Sequence, residues 1–231
     1  RHRRRAGPPG RPGPHRSPGR AGTGRPRLAR RHRGYGEGMD AHARWVGGER
    51  ESEGCTRCDL HLHATRTVFG EGPVPCPLML VGEQPGDVED RSGRPFVGPA
   101  GGLLRSVLAD VGVDPSGVYL TNAVKHFRWE ARGKRRIHKG PGVEHVRACG
   151  VWLERELDVV DPHVVVLLGA TATRSLAPDL RVTRDRGRPF ALGDRVGVVT
   201  AHPSSVLRSD DRDAARAALA AGAPILCDAR M

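Results

Sequence analysis

Lysine is almost missing from this 231-residue sequence: Lys125, Lys134 and Lys139 stand against 35 arginines. So skewed a ratio reflects base composition, and the arginine count alone cannot be read as nucleic-acid binding. Long apolar runs are missing too. None approaches the ~20 residues that a membrane-spanning helix needs, which excludes an integral helical membrane protein. The first 38 residues lack the apolar centre of a secretory signal, and their Gly/Pro density argues against an amphipathic transit helix. With neither a span nor an export signal, the cytoplasm is the default location. Five cysteines in that compartment point to metal ligands or free thiols before disulfides.

The formal charge of +12 is distributed very unevenly. Residues 1–38 carry twelve arginines and one glutamate, +11, so everything after them is nearly neutral at +1. That segment is almost entirely Arg, Gly and Pro and has no hydrophobic periodicity. It cannot bury enough surface to fold and is expected to be a disordered leader. Met39 opens the first foldable stretch, which runs to about Ala221. Residues 222–231 do not continue the preceding helical pattern and form an atypical tail.

Within 39–221, strand and helix signals alternate. A short helix over 39–46 leads to Cys55-Thr-Arg-Cys58, a Cys-x-x-Cys pair able to grip one metal. The compact apolar run at 77–81 reads as a buried strand and empties into Gly82-Glu-Gln-Pro-Gly-Asp87. Residues 98–111 read as a helix with Leu103, Leu104, Val107 and Leu108 inward, and its first amides are suited to receive a phosphate or a base carbonyl. A second strand at 118–120 ends at Thr121-Asn122 and opens into a long polar loop carrying His126 and residues 134–138. Residues 143–160 are helical by period and include Cys149. The run at 163–168 is the most strand-like in the chain, and 169–176 reads as a short helix. A fourth strand at 196–200 precedes His202-Pro-Ser-Ser-Val-Leu-Arg208, followed by a last helix at 211–221.

Strands alternating with helices predict an α/β domain whose four-stranded parallel sheet is covered on both sides. The loops after the first, second and fourth strands then gather at the carboxyl edge of the sheet, where Glu83, Asn122, His138 and His202 can meet. Among these loops, Gly-Lys-Arg-Arg-Ile-His at 133–138 joins three cations to one imidazole. Cations neutralise phosphates, and a neutral imidazole serves as base, ligand or nucleophile. Taken alone, such a run is more often a solvated basic loop. Its neighbours change that reading.

Together, Gly82-Glu-Gln-Pro-Gly86, Thr121-Asn-Ala-Val-Lys-His126, Lys134-Arg-Arg-Ile-His138 and His202-Pro-Ser-Ser-Val-Leu-Arg208 resemble a UdgX-type uracil-DNA glycosylase, a relative of the iron–sulfur family 4 enzymes. The resemblance spans about 39–221. It implies a three-layer α/β/α sandwich, excision of uracil from DNA, and a lasting covalent bond between the loop histidine and deoxyribose C1′. By the same resemblance His138 is the nucleophile, Glu83 orients or activates it, and His202 hydrogen-bonds uracil O2. Asn122 reads the Watson–Crick edge, Phe96 stacks on the ring, and Gly82 and Gln84 line the pocket, Gln84 largely through its backbone. Lys134, Arg135 and Arg136 are expected to hold DNA phosphates and to favour a neutral His138. Ser204, Ser205 and Arg208 are expected to contact phosphates or wedge the duplex, with a simple role at the helix start as the competing reading. The partner is uracil-containing DNA, single-stranded DNA being favoured or accepted because flipping a paired base costs a few kcal/mol. No membrane is involved, and the chain is expected to act as a monomer.

Cys55, Cys58, His126 and Cys149 form the candidate metal set. By residue type Cys₃His suits zinc at least as well as a cluster. The resemblance implies [4Fe–4S] in a structural role, with His126 where family 4 relatives carry a cysteine. Cys76 and Cys227 remain spare thiols. Two other functions stay open at this stage: a conventional turnover glycosylase, and a non-catalytic iron–sulfur module that only binds DNA.

Overall fold

The structure is a computed structural model that describes residues 35–210 together with 213, 216, 217 and 220. Residues 1–34 of the leader expected over 1–38, most of the helix expected at 211–221, the tail at 222–231 and Cys227 lie outside the described residues, while 35–38 belong to a helix. The first helix, α1 (Tyr35–Glu53), begins four residues ahead of Met39 and continues past the expected end at Val46.

Three strands are buried on both of their faces, two of them continuous apolar runs. In β1 (Leu78–Gly82), β2 (Tyr119–Asn122) and β5 (Val164–Leu168) every residue is buried. Alternation divides each strand between two cores. Leu78, Leu80, Leu120, Val164, Val166 and Leu168 pack with Leu104 and Val107 of α3 (Pro99–Asp110) and Val206 of α7 (Pro203–Leu207). Met79, Val81, Tyr119, Val165 and Leu167 pack on the opposite face with Leu153 and Val160 of α4 (Val143–Val160) and Ala172 of α5 (Gly169–Leu176). Helices thus cover both faces, the arrangement expected of an α/β sandwich.

The sheet order is β2-β1-β5-β7-β6. The four expected strands are parallel, the fourth being β7 (Arg195–Thr200). A fifth strand, β6 (Pro189–Leu192), adds antiparallel to β7 as an edge beginning at a proline, so the sheet is mixed. Two short helices were also not foreseen: α2 (Asp87–Ser92), and α6 (Val182–Asp185) before β6. From β1 the chain passes to β2 on one side and later to β5 on the other. The β1/β5 carboxyl ends therefore form the point where the winding reverses and a crevice opens.

The long polar loop expected after β2 is instead largely a β-hairpin, β3 (Trp129–Arg132) with β4 (Arg135–His138), pairing Trp129 with His138 and Arg132 with Arg135. That register leaves Gly133-Lys134 as a two-residue turn, and Gly133 supplies the positive φ of 60° such a turn requires. Little advertises these strands in the sequence, because each is only four residues long and five of their eight positions are polar or charged.

A buried ion pair lies under the β2 end. Lys125 and Glu156 are both fully buried, and Lys125 Nζ also donates to Thr121 Oγ1 at 2.7 Å and to the Asn122 carbonyl at 2.9 Å. Glu156 further accepts from the Gly70 amide at 2.7 Å, from Thr121 and from the Tyr119 hydroxyl at 3.2 Å. Removing one partner of such a pair leaves a buried charge uncompensated and costs about 3–5 kcal/mol. Lys125→Met is therefore expected to lower the unfolding free energy by that much, read as a lower urea unfolding midpoint, and Lys125→Met with Glu156→Gln to recover part of the loss. Equal midpoints for wild type and the single variant would contradict this assignment.

Candidate active site

At the carboxyl end of the sheet lies a cavity of about 670 Å³ lined by Glu83, Gln84, Phe96, Asn122, His138 and His202, together with Leu168, Gly169, Ser204 and Arg208. The four loop residues expected to meet there do share it. Gly82, expected to line the pocket, is not among the lining residues but abuts two of them: a Cβ at Gly82 would lie 2.4 Å from Asn122 Oδ1 and 2.6 Å from the Phe96 ring. Only glycine lets the amide and the ring approach this closely. Asn122 is buried and lines the cavity, with its main-chain carbonyl held by Lys125.

Phe96 is buried with φ of 56°, a left-handed conformation unusual for an aromatic residue. Two contacts hold it there. Arg105 Nη1 donates to the Phe96 carbonyl, and Gly101 packs so tightly that a Cβ would meet that carbonyl oxygen at 1.7 Å. Strain of this kind costs of order 1–3 kcal/mol and collects at ligand sites. Arg105 and Gly101 escaped sequence reading, although two glycines in the first turn of a helix are a visible sign of close approach. Of the helix-start amides expected to take a ligand, that of Gly98 is already engaged, donating to buried Glu89 at 2.8 Å.

His138 emerges at the end of β4 and is half-exposed, with Nε2 3.5 Å from Glu83 Oε1. The other Glu83 oxygen accepts a hydrogen bond from Thr171 Oγ1. Alternation places Arg136 and His138 on the same face of the strand and Arg135 and Ile137 on the other. Arg136 departs from its expected role. Its guanidinium is directed at Asp87 and Asp90, the latter at 2.6 Å, and lies over the Phe127 and Trp129 rings with its carbon 5.4 Å from each centroid. The side chain is only 13% exposed, so this cation anchors the hairpin to α2 and is not free for phosphate. Lys134 and Arg135 are exposed and available. Gln84 provides the second anchor: its amide nitrogen donates to the carbonyls of Arg128 at 3.1 Å and Lys139 at 2.9 Å, and its oxygen accepts from the Arg128 amide. One side chain therefore bridges both ends of the hairpin.

His202 caps α7. Its Nδ1 accepts from the Ser204 amide at 3.2 Å and lies 2.8 Å from the Ser204 hydroxyl, which leaves Nε2 to carry the proton. Burial, reinforced by the charges of His138 and Arg208 and opposed by Glu83, lowers its pKa to about 4. A neutral N–H donor thus faces the cavity. Ser204 serves this cap and also lines the cavity, Ser205 Oγ donates to the His202 carbonyl at 2.7 Å, and Arg208 is exposed at the rim.

The metal candidates occupy the far side of the Lys125 network. Cys58 and Cys149 share a hydrogen bond that holds the Cys58 thiol down to about 6 and raises that of Cys149. Cys55 Sγ accepts from Trp152 Nε1 at 3.2 Å. His126 is buried with Nδ1 lacking a partner, and burial lowers its pKa, so the ring is a neutral donor. Three thiols and an orphaned imidazole fit a thiolate-rich metal centre by chemistry. Among the described residues, no three such side chains close on one point. His145 Nδ1 accepts from the Gly142 amide at 2.8 Å and Nε2 lies 2.9 Å from Asp59 Oδ1, pinning the Cys-x-x-Cys segment to α4. Cys76 lies apart in the core, donating to the Leu78 and Gly117 carbonyls.

Comparison with known proteins agrees with this geometry. Residues 69–221 match the Uracil DNA glycosylase superfamily. The Type-4 uracil-DNA glycosylase of Thermotoga maritima is 38% identical over 168 residues, 71% of this chain and 84% of that protein. That of Archaeoglobus fulgidus is 36% identical over 167 residues, 68% and 80% of the two chains, and that of Sulfurisphaera tokodaii 32% over 142 residues, 59% and 61%. With its fold, its cavity and these matches taken together, the chain belongs to the uracil-DNA glycosylase superfamily.

Proposed function

We propose that this protein excises uracil from DNA and, in the manner of the UdgX-type enzymes it resembles, remains covalently attached to the deoxyribose through His138. The observation that carries this reading is the placement of His138. A hairpin anchored at Arg136 and Gln84 holds a half-exposed imidazole in the lining of the cavity, beside the Glu83 carboxylate.

The target base is flipped out of its stack and enters the cavity, a smaller cost for a single strand than for a duplex. Phe96 stacks on the ring, and the Asn122 amide both donates and accepts, matching uracil O4 and N3–H as cytosine does not. As the C1′–N1 bond breaks, its electron pair leaves with the base as the uracil anion. The neutral His202 Nε2–H is placed to donate to O2, where that charge develops. A His138 nitrogen lone pair then forms a bond to C1′ of the cationic sugar in place of water. The initial product is an alkylated imidazolium, which Glu83 stabilises before its remaining ring proton is lost to solvent. The resulting C–N bond has a poor leaving group and no evident route to hydrolysis. Lys134 and Arg135 hold the flanking phosphates. Cys55, Cys58, His126 and Cys149 would hold a [4Fe–4S] cluster, whose contribution is structural: it ties the segment after α1 to α4 and to the loop following Asn122.

A turnover glycosylase without adduct is the alternative favoured by the Type-4 names of the relatives. Incubation with uracil-containing single-stranded DNA separates the two. The proposal predicts a protein–DNA species that survives boiling in detergent and is abolished in His138→Ser, with slow uracil release retained. Quantitative uracil release without that species would contradict it.

The state of His202 is independently measurable. An ordinary histidine is mostly charged below about pH 6.5, whereas one with a pKa near 4 remains neutral down to about pH 5. Nitrogen-15 spectra of the imidazole are expected to show the Nε2–H tautomer at pH 5.5. A charged ring at that pH would contradict the assignment.

A further inference from the structure

The Glu83 carboxylate has a second partner that no motif marks. Thr171 lies in the first turn of α5, directly after β5, and it is buried. β5 runs beside β1, with Val81 opposite Leu167, so the chain leaving β5 passes next to the Gly82-Glu83 turn leaving β1. There the Thr171 hydroxyl donates to Glu83 Oε2, while Oε1 faces His138 Nε2 at 3.5 Å. The hydroxyl of Thr171 is thus spent on one oxygen of a carboxylate whose other oxygen addresses the proposed nucleophile.

We infer that Thr171 is a positioning residue for the covalent step, locking the Glu83 carboxylate in the orientation that aims His138 at C1′. This rests on the adduct-forming reading above. Glu83 is 26% exposed and His138 50% exposed, so water reaches both. A free carboxylate there would rotate among hydrated orientations, and the imidazole it orients would lose its aim. At the sugar cation, His138 and water compete, and the outcome depends on which is better placed when the C1′–N1 bond breaks. A buried hydroxyl donating to one carboxylate oxygen removes that rotational freedom. The backbone supports this placement: Gly169, with φ of 87°, lets α5 begin where a Cβ would press on His202 Cβ at 2.9 Å. The first turn of α5 therefore sits against both catalytic loops. Thr171 touches neither base nor sugar in this scheme and acts only through Glu83.

The measurable consequence is a partition ratio, the fraction of uracil-release events that end as cross-linked protein in place of free abasic DNA. Thr171→Val keeps shape and volume while removing the donor, and Thr171→Ser restores the donor without the methyl group. Hydrogen bonds to charged groups are strong enough that losing this one is expected to lower the ratio of cross-link to abasic product about tenfold in Thr171→Val. Thr171→Ser should return it to near the wild-type value. A general folding defect would lower uracil release and cross-linking together and would not be rescued selectively by serine. An unchanged ratio in Thr171→Val, alongside a cross-linking wild type, overturns the role of Thr171 alone. A wild type that releases uracil with no cross-link overturns the covalent reading and this inference with it.

Discussion

The buried ion pair between Lys125 and Glu156 is the constraint on which the two halves of the site depend. A charge in the interior is tolerated only when its hydrogen-bonding capacity is satisfied, and here Thr121, Tyr119, the Gly70 amide and the Asn122 carbonyl supply the partners. Those partners come from β2 and from the segment preceding β1, while Glu156 itself belongs to α4. Trp45 of α1 joins by donating to the Tyr119 hydroxyl at 2.7 Å. The network therefore fixes the end of β2 relative to α1 and α4. Asn122, the proposed base-reading amide, precedes Lys125 by three residues, and His126, a metal-ligand candidate, follows it directly. A single buried cation thus lies between the two in the chain and holds the Asn122 carbonyl directly.

The cations of the hairpin divide their work by strand alternation. Arg136 points inward and combines two aspartates with two aromatic rings, a use that suits a planar guanidinium better than an ammonium. Arg135 and Lys134 face solvent. Holding the hairpin from inside with Arg136 and Gln84 leaves its tip charged and its last residue half-exposed. His138 is consequently part of a restrained β-strand end, and its distance to Glu83 is set by the main chain on one side and by Thr171 on the other.

Much of the fold was legible because its strands are buried on both faces: the runs at 78–81 and 164–168 are apolar at every position. The hairpin was not, since its stability comes from Asp87, Asp90 and Gln84, about 40 to 55 residues distant in sequence, and not from an apolar stripe. β6 escaped for a related reason, being a short edge strand in which only alternate residues are half-buried. Glu83, Asn122, His138 and His202 were legible through motifs that place them in strand-end loops, and they do line one cavity. Arg136 was assigned to phosphate because a run of cations does not reveal which member turns inward. Thr171 and Arg105 carried no local signal at all, since each matters only through a partner brought near by the fold.

The central claim is that His138 captures the sugar in place of water, which makes the protein a reagent consumed with its substrate. The most direct test is the stoichiometry of uracil release with single-stranded uracil-containing DNA in large excess over active protein. The account predicts a burst that stops at one uracil per protein molecule. Steady release continuing far beyond one equivalent would contradict it.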